Sequence, residues 1–168
     1  MKKVLALAIA AIGASGSVQA ASFVNGGFDD GTATGWDVSN SAYRASVNNT
    51  TLTPAWVFAN DTGPMRSAVI NTGYVDPNVP VALLGSTVYG GTNAFRVDDT
   101  TWGGYASAIQ QTVVNYTDPT IYFAWKAVLE AAHAVSNAAV MKLTLTDDTT
   151  GSTLITRLYT AVGTGVDA

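Results

Sequence analysis

Residues 141–146 alternate strictly between apolar and polar side chains, which is the pattern of a β-strand with one buried face. The next five residues, 147–151, are Asp, Thr and Gly, and these turn formers predict a hairpin loop. Residues 154–162 are predicted to form the returning strand. This hairpin restricts the fold more than any other feature, because it requires an antiparallel sheet late in the chain.

Shorter alternating runs precede the hairpin, at residues 34–38, 43–47, 67–71, 94–98 and 107–114. Thr, Val, Ala, Gly and aromatic residues dominate after residue 21, and only one Glu and two Lys occur there. This composition, with recurring turn formers, is typical of an all-β sandwich or barrel.

The segment 48–92 has a different character, since it holds four of the five prolines and little regular alternation. It therefore predicts long connections with one or two short edge strands. No internal repeat, charge block or linker divides the chain, which favours a single domain.

Residues 120–139 are compatible with two structures. Residues 125–133 are rich in helix formers, which allows a helix. Ile121, Phe123 and Trp125 instead fall on one side at a period of two, and a clear strand follows. We favour a long strand that continues into a loop, with the helix as the alternative.

The first twenty residues have the organisation of a cleavable signal peptide. Lys2 and Lys3 precede an uncharged apolar run at residues 4–12, and small residues lead to a cleavage site after Ala20. The apolar run is too short to cross the ~30 Å hydrocarbon core of a bilayer as a helix, which disfavours a membrane anchor. We therefore expect the mature chain, residues 21–168, to have no stable membrane span.

Charge and cysteine content narrow the possible functions. The full chain has a net charge of −4, and without the two leader lysines six positive and twelve negative side chains remain, a net charge of −6. An acidic chain is a poor phosphate binder, so nucleic acid is not an expected partner. The absence of cysteine excludes disulfides and thiolate metal sites. We expect a bacterial protein exported to the periplasm, the cell surface or the medium.

The sequence Asn-Gly-Gly-Phe-Asp-Asp-Gly at residues 25–31, followed by Gly35 and Trp36, resembles the opening of secreted jelly-roll modules of the galactose-binding-domain-like and carbohydrate-binding type. The resemblance implies a jelly-roll-like β-sandwich of antiparallel strands. In calcium-stabilised members, the acidic residue after the Phe coordinates a structural ion, and the matching residue here is Asp29. The alternative is that Asp29 and Asp30 simply form a turn. No other cofactor is expected.

A second stretch, residues 122–133 with 142–151, resembles a region of bacterial exported proteins that carry a PEP-CTERM sorting tail. There an aromatic strand and a His-containing loop precede the next hairpin. Residues 163–168 contain no Pro-Glu-Pro tripeptide, apolar helix or basic tail. We therefore expect the β-sandwich domain, residues 21–168, to be incomplete at its C-terminus.

The sequence lacks the sets of residues that most catalytic mechanisms require. His133 is the only histidine, no G-x-S-x-G motif occurs after the leader, and Glu130 is the only glutamate. The pairs at residues 98–99 and 147–148 are interpreted first as turns, because no EF-hand spacing is present. Glycosidase carboxylates cannot be paired from the sequence alone. We therefore expect no enzymatic activity.

Aromatic residues provide the remaining functional signal, since a flat ring can stack on the apolar face of a sugar. Trp36 and Trp125 lie in or beside predicted strands and are assigned to the core. Trp102, Tyr105 and Trp56 lie in Gly- or Pro-flanked connections and are the candidate ligand-binding residues, with packing against the core as the alternative.

Together these features predict an exported, non-enzymatic cell-surface or extracellular-matrix protein. Its jelly-roll module would serve adhesion or binding, with extracellular polysaccharide as the expected partner. The alternative is an accessory carbohydrate-binding module of a secreted glycoside hydrolase whose catalytic part is absent from this sequence.

Overall fold

The computed structural model describes residues 22–44, 47–49, 51–101, 103–129 and 138–161. The predicted signal peptide, Trp102, His133 and the end of the chain lie outside these residues. The described strands are β1 (Asp37–Val38), β2 (Ala42–Tyr43), β3 (Ala68–Asn71), β4 (Asn93–Arg96), β5 (Tyr105–Ala106), β6 (Ile109–Gln110), β7 (Val140–Asp147) and β8 (Ser152–Thr160). The described helices are α1 (Pro54–Ala59) and α2 (Val81–Leu84).

The described strands form four antiparallel pairs, which confirms the prediction of an all-β fold. β1 pairs with β6, β2 with β5 and β3 with β4, so the three pairs are nested along the chain. β7 and β8 form the fourth pair. In the nested set, each successive pair joins residues that are closer in sequence, as in one long hairpin.

The late hairpin predicted from residues 141–162 is confirmed by β7 and β8. Asp147 pairs with Ser152, which leaves a loop of residues 148–151, and a bulge interrupts the register between Leu145 and Thr146. The earlier alternating runs also contain strands, but these are shorter than predicted. Only Ile109–Gln110 of the run 107–114 is paired, for example.

The prediction for segment 48–92 was incomplete, because the two helices lie within it. Thr53 caps α1 by accepting a 3.2 Å hydrogen bond from the Trp56 N–H at its Oγ1, and Pro54 occupies the first helical position. A Thr cap followed by Pro is a recognised helix start, so the signal was present in the sequence. β3 is the strand that was expected there.

The strand favoured for residues 120–139 is wrong for its described part, since residues 121–129 form neither strand nor helix. Side-chain contacts with other parts of the chain hold this segment in place instead. Lys126 Nζ donates to the carbonyls of Leu84 and Ser86, each at 2.6 Å. Trp125 packs on Tyr159 with 4.4 Å between ring centroids, yet it remains exposed and is not the core residue that was expected.

The core lies on one side of the β2–β5 pair. Ala42, Val57, Ala106 and Ala108 are buried there, and Leu52, Trp56 and Phe58 pack against them. A neighbouring row of rings includes Trp36, whose centroid is 5.4 Å from that of Phe28. Trp36 is therefore packed as expected, although it is only part-buried. These contacts fix the orientation of the β2–β5 pair, which carries the candidate site.

Candidate ligand-binding face

Tyr43 and Tyr105 are direct cross-strand partners in the β2–β5 pair. Their strand neighbours, Ala42 and Ala106, point into the core, so the alternation of side chains places both tyrosines on the opposite side. The two ring centroids are 5.3 Å apart, and the ring planes are inclined by 58°. We call this surface the Tyr43–Tyr105 face.

Arg66 packs against one face of the Tyr105 ring. Its guanidinium carbon lies 4.2 Å from the ring centroid, in the geometry of a cation–π contact. Nη1 of Arg66 donates to Asp99 Oδ1 at 3.0 Å and to the carbonyl of Thr101 at 2.7 Å. Since Arg66 is only 5% exposed, these contacts form a fixed base under the ring.

Two glycines leave room for the same ring. A Cβ on Gly103 would lie 2.8 Å from two ring carbons of Tyr105, and Gly103 has a φ of +134°, which other residues rarely adopt. A Cβ on Gly63 would lie 3.0 Å from Tyr105 Cε1 and 2.8 Å from the Ser41 carbonyl oxygen. Tyr105 is thus half-buried and held in place, whereas Tyr43 is 60% exposed.

The carboxylates beside the face differ in their electrostatic environment. Burial raises the pKa of Asp98, although a hydrogen bond from the Asp99 N–H and the charges of Arg66 and Arg96 oppose it. Burial also acts to raise the pKa of Asp99, but hydrogen bonds from Thr101 and the same arginines outweigh it and hold that pKa below its ordinary value.

These opposite pKa shifts predict that Asp98→Asn changes the stability of the protein by an amount that depends on pH. The asparagine keeps a side-chain oxygen that can accept the hydrogen bond from the Asp99 N–H. Because the pKa of Asp98 is higher in the folded protein, this carboxyl loses its proton at a lower pH in the unfolded chain. The stability that the protonated carboxyl contributes is therefore lost as pH rises above the ordinary pKa of 3.8. We expect the melting temperature of Asp98→Asn, relative to wild type, to increase between about pH 3.5 and pH 7. Thermal denaturation across that range measures this difference.

Asp99→Asn provides the comparison of opposite sign. Because the pKa of Asp99 is lowered, its contribution is present above the ordinary pKa and lost as pH falls. Its variant should therefore be less stable than wild type near neutral pH and approach wild type in acid. A stability difference for Asp98→Asn that stays constant with pH would contradict the assignment of a raised pKa.

The three sequence-predicted ligand-binding residues are not on one surface. Tyr105 lies on the Tyr43–Tyr105 face. Trp56 is in α1 and packs against the core cluster, on the other side of the β2–β5 pair. Its place in a Pro-flanked segment suggested exposure, but the Thr53 cap directs that segment into a helix. Trp102 lies outside the described residues, so its role stays a prediction.

Tyr43 was not predicted as a site residue. The signal that could have found it is its position as the large ring that opens the alternating run 43–47. Its pairing with Tyr105 across 62 residues is set by the β2–β5 register. That register depends on the whole nested set of strands.

Asp29 links the opening loop to a distant part of the chain. Its Oδ1 accepts hydrogen bonds from Thr92, at 3.0 Å from the N–H and 3.5 Å from the hydroxyl. Asp30 accepts from Thr32 and Asn25 and closes a local turn. In the described part of the chain, no three Asp, Glu, His or Cys side chains are grouped closely enough to hold a metal ion. The calcium role of Asp29 stays a prediction.

No protein-family model, curated protein or solved structure matches this chain. None of the helices in the described ranges is long and apolar enough to span a membrane. We therefore infer the function from the geometry of the Tyr43–Tyr105 face and from the sequence.

Proposed function

We propose that this chain is an exported, non-enzymatic bacterial surface or matrix protein that binds extracellular polysaccharide at the Tyr43–Tyr105 face. One observation carries the proposal, namely an exposed tyrosine paired across strands with a second tyrosine that a buried arginine holds in place. An aromatic ring offers a flat apolar surface that fits the apolar face of a pyranose. Holding the second ring before the ligand arrives lowers the entropic cost of binding.

Polar groups close in sequence to β5 support the same function. Thr100 and Thr101 are exposed on the turn that precedes β5, and their hydroxyls can exchange hydrogen bonds with sugar hydroxyls. Asp99 accepts from the Thr101 N–H at 2.8 Å, which fixes this turn. A carbohydrate site combines such polar groups with an apolar platform.

The export and fold parts of the proposal have their own support. Residues 1–20 have the organisation of a signal peptide. The nested pairing of β1–β6, β2–β5 and β3–β4 is the order expected when a long antiparallel hairpin is wound into a jelly roll. We propose a jelly-roll-like sandwich on this basis, with the PEP-CTERM resemblance indicating a cell-surface destination.

The experiment that tests the proposal is binding of the mature protein, residues 21–168, to an array of neutral and acidic polysaccharides. Tyr43→Ala removes the exposed ring and should weaken binding by about tenfold or more, because the platform then retains only a half-buried ring. Affinity electrophoresis or calorimetry with the best polysaccharide measures the change.

Tyr89→Ala is the matched control, because Tyr89 is 93% exposed and belongs to no described ring pair. Its affinity should stay within about twofold of wild type. Absence of binding to every polysaccharide would overturn the proposed function. Equal losses in the Tyr43 and Tyr89 variants would show that binding does not occur at this face.

A further inference from the structure

The β7–β8 hairpin differs from the other strand pairs in length. β7 has eight residues and β8 has nine, whereas the other described strands have two to four. Among the described residues, β7 and β8 have no strand neighbour except each other. A two-stranded sheet is marginally stable by itself, and further strands stabilise it. The side of β8 that faces away from β7 is therefore a place where another strand can add.

The hydrogen bonds of the hairpin show which backbone groups of β8 point outward. The Ala161 N–H donates to the Ala139 carbonyl at 3.0 Å, so these two residues form a hydrogen-bonded pair. Bonded and non-bonded pairs alternate along antiparallel strands. Thr156, Leu158 and Thr160 therefore occupy non-bonded positions, and their backbone N–H and C=O groups point away from β7.

Contacts and exposure agree with this direction. Arg157 Nη1 donates to the Thr156 carbonyl at 3.0 Å, as expected for a carbonyl that is directed away from β7. Outside the hairpin, no described residue accepts a backbone hydrogen bond from Thr156 or Leu158. Residues 152–158 are exposed without interruption. We call the outward side of residues 155–160 the β8 edge.

The β8 edge has few of the features that prevent strands from pairing. Prolines, charged side chains and bulges usually protect an exposed edge. β8 contains no proline, glycine, lysine or acidic residue, and Arg157 is its only charged residue. Its bulge lies at Leu154, where Leu145 pairs with Ile155 and Thr146 with Thr153. The edge beyond the bulge is regular and can pair.

The order of side chains along the edge is complementary to itself. A twofold axis at Leu158 places this residue opposite its own copy. Thr156 then lies opposite Thr160 of the second copy, and all the outward backbone groups meet in hydrogen-bonded pairs. Arg157 lies opposite Tyr159. Apolar pairs, threonine pairs and an arginine beside a tyrosine ring are all favourable across strands.

Charge also favours a second copy at this edge. The two positive side chains of the hairpin, Lys142 and Arg157, balance Asp147 and Asp148. The mature chain has a net charge of −6, so two copies repel each other on average. A neutral hairpin does not add to this repulsion. The pairing described above also places no two like charges directly opposite each other.

We propose that two copies of this chain pair through the β8 edge, in an antiparallel arrangement with its twofold axis at Leu158. The two hairpins then form one four-stranded sheet, with a β7 strand on each outer side. The Thr156 carbonyl exchanges the side-chain donor of Arg157 for the N–H of Thr160 of the second copy. The dimer does not depend on the proposed function, and it carries two copies of the Tyr43–Tyr105 face.

Sedimentation equilibrium of the mature protein, residues 21–168, tests the proposal by measuring its mass at several concentrations. We expect the monomer mass in dilute solution and twice that mass as the concentration approaches about 1 mM. A mass that stays monomeric up to that concentration would overturn the proposal. A mass that continues to grow beyond the dimer would overturn the closed twofold arrangement.

Leu158→Glu should weaken the dimer by about tenfold or more, because it places two carboxylates directly opposite each other. The hairpin itself should tolerate the change, since Leu158 is 42% exposed and pairs with Lys142 across β7. Thr144→Glu is the matched control, because Thr144 is an exposed residue on the same side of the sheet but on β7. Its dissociation constant should stay within about twofold of wild type. Equal losses in the two variants would show that the copies do not meet at β8.

Mixing two variants tests the position of the axis. Leu158→Lys alone should also be monomeric, but an equal mixture with Leu158→Glu should recover the dimer mass, because opposite charges then face each other. A mixture that stays monomeric would contradict an axis at Leu158. Circular dichroism checks the folding of each variant. If Leu158→Glu does not fold, Thr156→Pro is the second variant, since it removes a backbone donor that points away from β7 and should abolish the dimer.

Discussion

Replacing Arg66 by methionine is expected to lower the free energy of unfolding by about 3 kcal/mol. The methionine retains much of the side-chain volume but removes the charge that pairs with Asp99 at 3.0 Å. Loss of one member of a buried ion pair leaves the other charge without compensation, which costs about 3–5 kcal/mol in fully buried pairs. Asp99 is part-exposed, so we expect the lower end of that range.

The comparison for this prediction is Arg66→Lys. Lysine keeps the positive charge but lacks the planar guanidinium that stacks on Tyr105 and bonds both Asp99 and Thr101. Its loss should be smaller, about 1–2 kcal/mol. Urea denaturation of both variants measures the two losses. A methionine variant within about 0.5 kcal/mol of wild type would contradict the structural role of the ion pair.

Gly63→Ala is expected to destabilise the fold by a similar amount, about 3 kcal/mol. The added Cβ would lie 2.8 Å from the Ser41 carbonyl oxygen, and the Gly63 N–H already donates to that same oxygen at 2.8 Å. Neither group can move easily, because Ser41 is fully buried and its hydroxyl donates to the Pro64 carbonyl at 2.7 Å. The clash must therefore separate the loop from β2.

Gly90→Ala is the matched control for Gly63→Ala. A Cβ on Gly90 would meet no atom within 4 Å, and its φ is not in the left-handed region. We expect no loss, or a gain of about 0.5 kcal/mol from reduced freedom of the unfolded chain. Equal thermal stability of the two alanine variants would contradict the close approach of Gly63 to β2.

The late hairpin was predictable because its information is local. Strict alternation specifies a half-buried strand, and the residues between the two runs favour a turn. The opening motif was predictable for a similar reason, since Phe28 and Trp36 are close in sequence and meet at 5.4 Å between ring centroids. The paired residues of the hairpin lie at most 20 positions apart, and Phe28 and Trp36 are eight positions apart.

The candidate face was less predictable, because its parts come from distant positions. Tyr105 was found from its Gly-rich surroundings. Tyr43 and Arg66 were not, because the contacts that define them are 62 and 39 residues away in sequence from Tyr105. An arginine between Met65 and Ser67 gives no sequence signal that it will lie under a ring. Only the β2–β5 register and the packing of the intervening loop bring the three residues together.

For residues 121–129 the strand prediction was wrong although the local alternation pattern was clear. Their period-two spacing favours a strand, but a strand also needs a neighbour to complete its backbone hydrogen bonds. Lys126 binds the end of α2 and Trp125 packs on β8, and these side-chain contacts hold the segment without a strand partner among the described residues. The alternation pattern alone cannot show that side-chain contacts will replace strand pairing in this segment.

Ring-labelled tyrosine NMR tests the central claim most directly, because all seven tyrosines lie in the described residues and serve as separate probes. The mature protein is titrated with the polysaccharide that it binds most tightly. We predict saturable shifts of the Tyr43 and Tyr105 ring signals, with Tyr89 and Tyr122 unchanged. Shifts confined to Tyr89 or Tyr122, or no shift at Tyr43, would contradict a polysaccharide site at the Tyr43–Tyr105 face.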